Sequence, residues 1–244
     1  MAKSNGPVAP GTTFKRRAPS LILPDRRIHR QSMGQSSQMQ QGHFGLGFVS
    51  PGGAALATWN PADRSTANTW SFTNGDLTIQ PTSGTGGFAF ALARGSKAIV
   101  GKKYFTFKKD AGGSNGVAIG VANGSFNIND TTNYPNDVNS ASMRSGGDAF
   151  SNGSSLFSGT SWNDTTSWVG VAIDEPNKRV AWSVNGVWQN SANPGAGTGM
   201  SSISHITGSL YPVVGLVDVT TSIVTANFGG SAFPYAAPSG YTPI

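Results

Sequence analysis

Cysteine is absent from the 244-residue sequence, which removes disulfide staples, thiolate nucleophiles and Cys-ligated zinc together. Charge is scarce: Asp, Glu, Lys and Arg make up 11% of the chain, and Glu175 is the only glutamate. Glycoside hydrolysis, which usually sets two carboxylates about 5 to 10 Å apart across the scissile bond, is left without a Glu-x-Asp or Glu-x-x-x-Glu strand pattern. A pair of Asp residues distant in sequence stays open as an alternative. Long apolar runs are missing too. The longest near the start is Leu21-Ile22-Leu23, between Pro19 and Pro24, far short of the ~20 residues of a membrane span. Neither a signal peptide nor membrane insertion is expected.

What the chain does have is 33 glycines and 14 prolines. That composition describes short extended segments joined by tight turns and predicts an all-β class. The formal charge of +6 is unevenly placed. Residues 1–50 carry Lys3, Lys15, Arg16, Arg17, Arg26, Arg27 and Arg30 against Asp25, 7 − 1 = +6, and the remainder holds 10 basic and 10 acidic residues. Any anionic partner is therefore met by the leading segment and not by a domain-wide field.

Residues 1–43 have neither helical nor strand periodicity, are broken by Pro7, Pro10, Pro19 and Pro24, and end in a Gln/Ser-rich stretch from Gln31 to Gln41. They read as an extended basic arm that cannot fold alone. Residues 44–55 form a connector in which Phe44, Leu46 and Phe48 alternate, suiting either a strand or a hydrophobic strap.

Residues 56–244 are a succession of strand-length apolar runs. Trp70-Ser71-Phe72 faces Leu77-Thr78-Ile79 across Asn74-Gly75, a dipeptide suited to positive φ. Phe88–Leu92, Tyr104–Phe107 and Val117–Val121 follow. Trp168–Ile173 turns at Asp174-Glu175-Pro176-Asn177 into Val180–Val184, which turns at Asn185-Gly186 into Val187-Trp188-Gln189. Tyr211–Val217 and Ser222–Phe228 complete the set. So many strands without a convincing helix predict two antiparallel sheets packed face to face.

In order, Gly101-Lys102-Lys103-Tyr104-Phe105, Ile119-Gly120-Val121, Val169–Asp174, Val180–Gly186, Leu210–Leu216, Val224–Gly229 and Phe233-Pro234-Tyr235 resemble the SPRY domain family over roughly 140 residues. The resemblance implies a concanavalin-like β-sandwich and a protein-binding role. Two departures stand out. Thr106 occupies a position where the family usually has an acidic residue, and residues 123–163, rich in Asn, Ser and Gly, fall where the family carries its most variable loops.

Reactive groups do not converge in the sequence. His29, His43 and His205 show no metal-ligand spacing and read as surface histidines, and no Gly-x-Ser-x-Gly elbow accompanies them. Asp130, Asp137 and Asp148, among Asn127, Asn129, Asn133 and Asn136, suit calcium or ordinary turn capping, the latter favoured. No cofactor or metal is assigned. Trp70, Trp168 and Trp182 lie in strands and read as packing residues. Tyr134 and Trp162, with Asn163 beside it, sit in polar loops and are candidate recognition residues for a glycan or a protein surface, with a buried loop anchor as the rival reading.

In the arm, Phe14, Lys15, Arg16, Arg17, Leu21, Ile22, Leu23, Arg26, Arg27 and Arg30 interleave charge with an apolar centre. That pattern suits docking on a protein assembly, with Arg residues pairing to carboxylates, better than nucleic-acid binding. A basic arm joined to a neutral sandwich resembles the structural proteins of tailed bacteriophages. The expectation is a non-enzymatic virion protein (a capsid decoration, fibre or tail component) in a homo-oligomeric assembly, with its sandwich free to cement neighbours or touch a host-surface glycan or protein. The alternatives are a SPRY-type peptide-binding adaptor and a lectin or glycosidase.

Overall fold

The structure, a computed structural model, describes residues 55–84, 90–113, 116–217 and 221–244. The anchoring candidates from Phe14 to Arg30 and the connector through residue 54 lie outside them.

The strands in chain order are β1 (Trp59–Arg64), β2 (Thr69–Thr73), β3 (Thr78–Ser83), β4 (Ala91–Gly95), β5 (Lys102–Ala111), β6 (Val117–Asn123), β7 (Ser140–Arg144), β8 (Asp148–Ser151), β9 (Ser154–Ser158), β10 (Trp168–Asp174), β11 (Arg179–Val184), β12 (Val187–Trp188), β13 (Ser201–Ser202), β14 (Leu210–Leu216) and β15 (Ile223–Asn227). Helix among the described residues is confined to two 3-10 turns, Gln189–Ser191 and Pro194–Ala196. Seven strands form one antiparallel sheet in the order β1-β4-β14-β6-β7-β8-β9. The second sheet runs β12-β11-β10-β5-β15-β3-β2, with β13 beside β11.

Turn chemistry fixes the local hairpins. Asn74 and Gly75 take φ of 54° and 63° between β2 and β3, and Asn185 and Gly186 take 49° and 80° between β11 and β12. Those values lie in the left-handed region that Asn and Gly tolerate best.

Alternation within each strand then divides core from surface. Phe105 and Phe107 of β5 and Val169, Val171 and Ile173 of β10 point inward from the second sheet, against Val117, Ile119 and Val121 of β6 and Val214 and Leu216 of β14 from the first. Trp59 stacks on Phe107 with ring centroids 5.5 Å apart. The Trp182 indole N–H donates to the Ile119 carbonyl at 3.2 Å, a polar tie from one sheet to the other through the core. Gly120 is required by close approach: a Cβ there would stand 1.9 Å from the Ala141 carbonyl oxygen on β7.

The stretch 123–163 differs from the sequence expectation of variable loops. Its second half is a three-stranded meander, β7-β8-β9, continuing the first sheet. Ala141, Met143 and Ala149 carry the inward positions, and side chains that small leave only a faint period-2 signal.

Candidate recognition surface

Packing the inner faces leaves two outer ones, and the chain treats them differently. On the first sheet the outward positions include Leu92 and Arg94 of β4, Ala122 of β6, Val213 and Gly215 of β14 and Ser142 of β7, a floor of mostly small groups. The Asn-rich segment 123–139 lies down on it. Phe126 joins Leu92, Ala122 and Val213 in a second buried cluster, with Phe90 and Ile128 alongside. Pro135 packs over Gly215, where a Cβ would be 2.9 Å from the proline ring, and the Ser142 hydroxyl donates to the Pro135 carbonyl.

Arg94 fastens one end of this cover. Its Nε and Nη2 donate to the two carboxylate oxygens of Asp63 at 2.8 and 2.9 Å, and its Nη1 donates to the Asn123 carbonyl at 2.6 Å. Bidentate, charge-assisted pairing of this kind is the stronger class of hydrogen bond.

The acidic residues of the cover serve its turns. The Asp130 carboxylate accepts from Thr132 N and Oγ1 at 2.8 and 2.7 Å and from Asn133 N and Nδ2 at 3.2 and 3.0 Å. Burial works to raise its pKa, yet these four donors outweigh it and leave the carboxyl below its ordinary value. Asp137 accepts from Asn139 N at 3.0 Å and Ser140 Oγ at 2.6 Å. No three His, Asp or Glu side chains gather to hold a metal among the described residues.

The three loop candidates make different contacts and form no common surface. Tyr134 is a half-buried anchor of the cover, its ring 5.7 Å from Phe90 and 5.6 Å from Phe150. Of the two readings of Trp162 the buried loop anchor holds and the exposed recognition residue does not, because it is 0% exposed and belongs to the main core. Its backbone N–H donates to the Ser145 carbonyl at 2.9 Å, which ties the β9–β10 loop to the β7–β8 turn. Asn163 accepts from Lys109, whose Nζ donates to Asn163 Oδ1 at 2.9 Å, to the Asn163 carbonyl and to Gly113 O at 3.3 Å. Lys109 is only 1% exposed. Burial pushes its pKa down and neighbouring Asp164 opposes the shift.

The outer face of the second sheet is covered over part of its width by the C-terminal segment. Tyr104, Ala172 and Tyr241 form a buried cluster with Trp188, Met200, Phe233 and Ala237 packed around it. Phe233 meets Tyr104 edge-on at 4.8 Å. Burial pushes the phenols of Tyr104 and Tyr241 up to about 12.

Beyond that cover the strand register places Thr73, Thr78, Thr225, Lys108 and Trp168 side by side across β2, β3, β15, β5 and β10. Their side chains are coupled. Thr225 donates its hydroxyl proton to Asp110 Oδ2, so the 2.7 Å contact between Thr78 and Thr225 is donated by Thr78. Asp110 pairs with Lys108 at 3.0 Å, and the Lys108 ammonium stands 6.0 Å over the Trp168 ring. The result is a polar row, half-exposed apart from the exposed Thr73, that ends in a half-buried indole. Such a row offers hydrogen bonds and one aromatic plate, which suits recognition.

Chemistry is harder to locate. The Ser151 hydroxyl lies 2.9 Å from His205 Nε2, so His205 is half-buried and bonded, unlike the surface group expected. Ser151 Oγ is buried and already donates to the Ser140 carbonyl at 2.7 Å, so the imidazole donates to the serine and is not placed to take its proton. Glu175 pairs with Lys178 at 3.0 Å in the β10–β11 turn.

The polar row leaves little trace in local sequence, and Trp168, a packing residue by its strand position, borders that row instead. The usable signal was Lys108 and Asp110 at alternate positions of β5, on the face opposite Phe105 and Phe107. Their partners on β15 and β3 are set by long-range register, which no local pattern carries.

No protein-family model matches the sequence, and no curated protein does. Solved structures do match. The chain is similar to the crystal structure of the SPRY domain of human HERC1 at 15% identity and TM-score 0.54, covering 69% of this chain and 96% of that one. It is also similar to the stonustoxin structure at 16% identity and TM-score 0.51, covering 70% of this chain and 27% of the toxin chain. At such identities the likeness concerns architecture, and the chain is an all-β, two-sheet sandwich of the SPRY type.

Proposed function

We propose that this chain is a non-enzymatic structural and protein-binding module, a virion component held by residues 1–43 with its sandwich available to neighbouring subunits or a host surface. The observation that carries the binding reading is the polar row from Thr73 to Trp168, a coupled and partly exposed strip with no cover among the described residues, whereas parts of both outer faces are overlaid by other segments of the chain. A SPRY-type sandwich is a scaffold to which recognition is added at the surface. The virion setting is supported by the division of charge between a +6 leading segment and a formally neutral remainder, an arrangement suited to one basic anchor and one projecting domain.

The experiment compares three chains in assembling particles: the full sequence, residues 44–244, and full-length Trp168→Ala. Loss of incorporation on removing residues 1–43, with Trp168→Ala incorporating normally but losing contact with its target surface, is the expected result. Normal incorporation of 44–244 would refute the anchor. If the isolated sandwich captures a peptide equally well without the arm, the chain is an adaptor instead. Glycan binding lost in Trp168→Ala would identify a lectin.

A further inference from the structure

Two arginines face outward on the first sheet, and they are treated oppositely. Arg94 directs its guanidinium at Asp63 and at backbone carbonyls. Arg144, at the end of β7 opposite Ala118 of β6, has its guanidinium carbon 3.5 Å from the centroid of the Tyr134 ring and 4.3 Å from that of Phe150. The two ring planes stand 69° apart, so they make a corner that holds the cation by contact with its π-bonded faces.

That contact immobilises the group and leaves its hydrogen-bonding edge unspent. An arginine carries five N–H donors in a fixed plane and never loses its charge in a protein. Nε of Arg144 is buried with no hydrogen-bond partner, and among the described residues no acceptor takes Nη1 or Nη2. Asp148 lies near enough to favour the charged guanidinium, but no ion pair joins the two. A cation that has been partly desolvated, fixed in orientation and left without an acceptor is a pre-organised receptor, since most of the ordering cost of pairing has already been met. Buried donors without partners are uncommon, and pairing with an ion is among their explanations.

We propose that Arg144, clamped by Tyr134 and Phe150, is a binding site for a single carboxylate group. The planar fork matches the two oxygens of a carboxylate. Asp148 already offsets part of the Arg144 charge, so the site takes at most a monoanion and disfavours a phosphate dianion, which needs further cations. The carboxylate comes from an Asp or Glu side chain of a protein or from a free small acid, and the two sources are separable. This site is independent of the polar row on the other sheet, and it survives or fails separately from the virion reading.

The test uses the full chain labelled with 15N and follows the arginine Nε–Hε resonances by NMR. Sodium acetate is titrated against sodium chloride at matched ionic strength, then sodium phosphate, then a neutral pentapeptide with one central Glu and its Gln counterpart. The expected result is a saturable shift of one Nε–Hε signal with acetate and with the Glu peptide, absent with chloride and with the Gln peptide. Affinity should fall about tenfold or more in Arg144→Lys, which keeps the charge and loses the fork. It should rise about threefold in Asp148→Asn, which removes a like charge near the surface. A Glu peptide binding more tightly than acetate places the source on a protein, and equal binding shows that the free acid suffices. The proposal is overturned if chloride reproduces the acetate shift, if phosphate binds and acetate does not, or if Arg144→Lys retains full affinity with an unchanged circular-dichroism spectrum. Should Arg144→Lys fail to fold, the Asp148→Asn titration decides alone, and unchanged acetate affinity there overturns the assignment.

Discussion

Replacing Trp162 separates anchoring from recognition. The side chain is fully buried in the main core, and truncating a buried tryptophan to alanine costs about 3 to 5 kcal/mol through lost transfer energy and the cavity left behind. For a domain of this size each kcal/mol moves the melting temperature by about 2 to 4 °C, so Trp162→Ala should lower Tm by roughly 6 to 20 °C. A second variant sharpens the argument. The indole N–H of Trp162 is buried without a hydrogen-bond partner, and an unmet donor carries a desolvation penalty of about 1 to 3 kcal/mol. Trp162→Phe removes that donor along with part of the apolar area, so the two effects oppose each other and the net cost should stay near 1 kcal/mol. Urea unfolding followed by far-UV circular dichroism measures both without relying on tryptophan emission. If Trp162→Ala shifts the midpoint by no more than an exposed Ser161→Ala control, the side chain is not the core anchor described. If Trp162→Phe proves as damaging as Trp162→Ala, the indole nitrogen has a partner and the reasoning about its penalty is wrong.

Three further outcomes follow from the same structure. Arg94→Met removes the ties from β4 to Asp63 and Asn123, should cost about 1 to 3 kcal/mol because it leaves the buried Asn123 carbonyl unmet while water reaches the partly exposed Asp63 carboxylate, and should expose segment 123–139 to limited proteolysis before the sheet itself melts. Asp164 accepts hydrogen bonds from Thr166 and Ser167 that hold its carboxyl well below the usual carboxylate range; a depressed folded-state pKa gives stability that is present above the unfolded value of about 4 and lost as pH falls toward the folded value. The Tm gap between the native chain and Asp164→Asn should therefore be full at pH 7 and close on acidification below about pH 4, and a gap constant with pH would show that these donors do not favour the ionised form. Gly120→Ala drives a Cβ into the Ala141 carbonyl and should separate β6 from β7, read as accelerated amide exchange at Ile119, Val121 and Met143; native exchange rates there would contradict the close approach.

The architecture was legible wherever a strand buries large side chains on one face and turns on a residue that tolerates positive φ. Phe105 with Phe107, Val169 with Val171 and the Asn185-Gly186 turn announce themselves because each combines a strong alternation with specific turn chemistry. The meander β7-β8-β9 did not, because Ala141 and Ala149 bury little area and Ser142 and Ser151 are polar at positions that are buried all the same. A serine that meets its hydrogen-bonding need locally, as Ser142 does at Pro135 O and Ser151 at Ser140 O, behaves in packing like a small apolar residue, and composition misreads it. The same blindness affected function. Trp162 sits among Gly, Thr, Ser, Asn and Asp, and polarity of the neighbouring sequence suggested exposure, whereas the loop is polar because its backbone must be capped at the end of the sandwich and the indole is the plug.

Coverage of the two outer faces follows from this distinction. A sheet surface made of Ala118, Gly120, Ala122 and Gly215 has few side chains of its own and is stabilised only if another part of the chain supplies them, which Phe126 and Pro135 do. The outer surface bearing Thr78, Thr225, Lys108 and Asp110 meets its needs through its own hydrogen bonds and ion pair, so it needs no cover and has none among the described residues. Exposure of that strip is thus a property of its side chains. Replacing Thr78 and Thr225 together by valine should leave the fold intact while turning the strip into an apolar patch that promotes self-association, measurable as a concentration-dependent rise in sedimentation coefficient. A double variant that sediments as the native chain does at every concentration would mean that the strip is already shielded and cannot serve as the recognition surface.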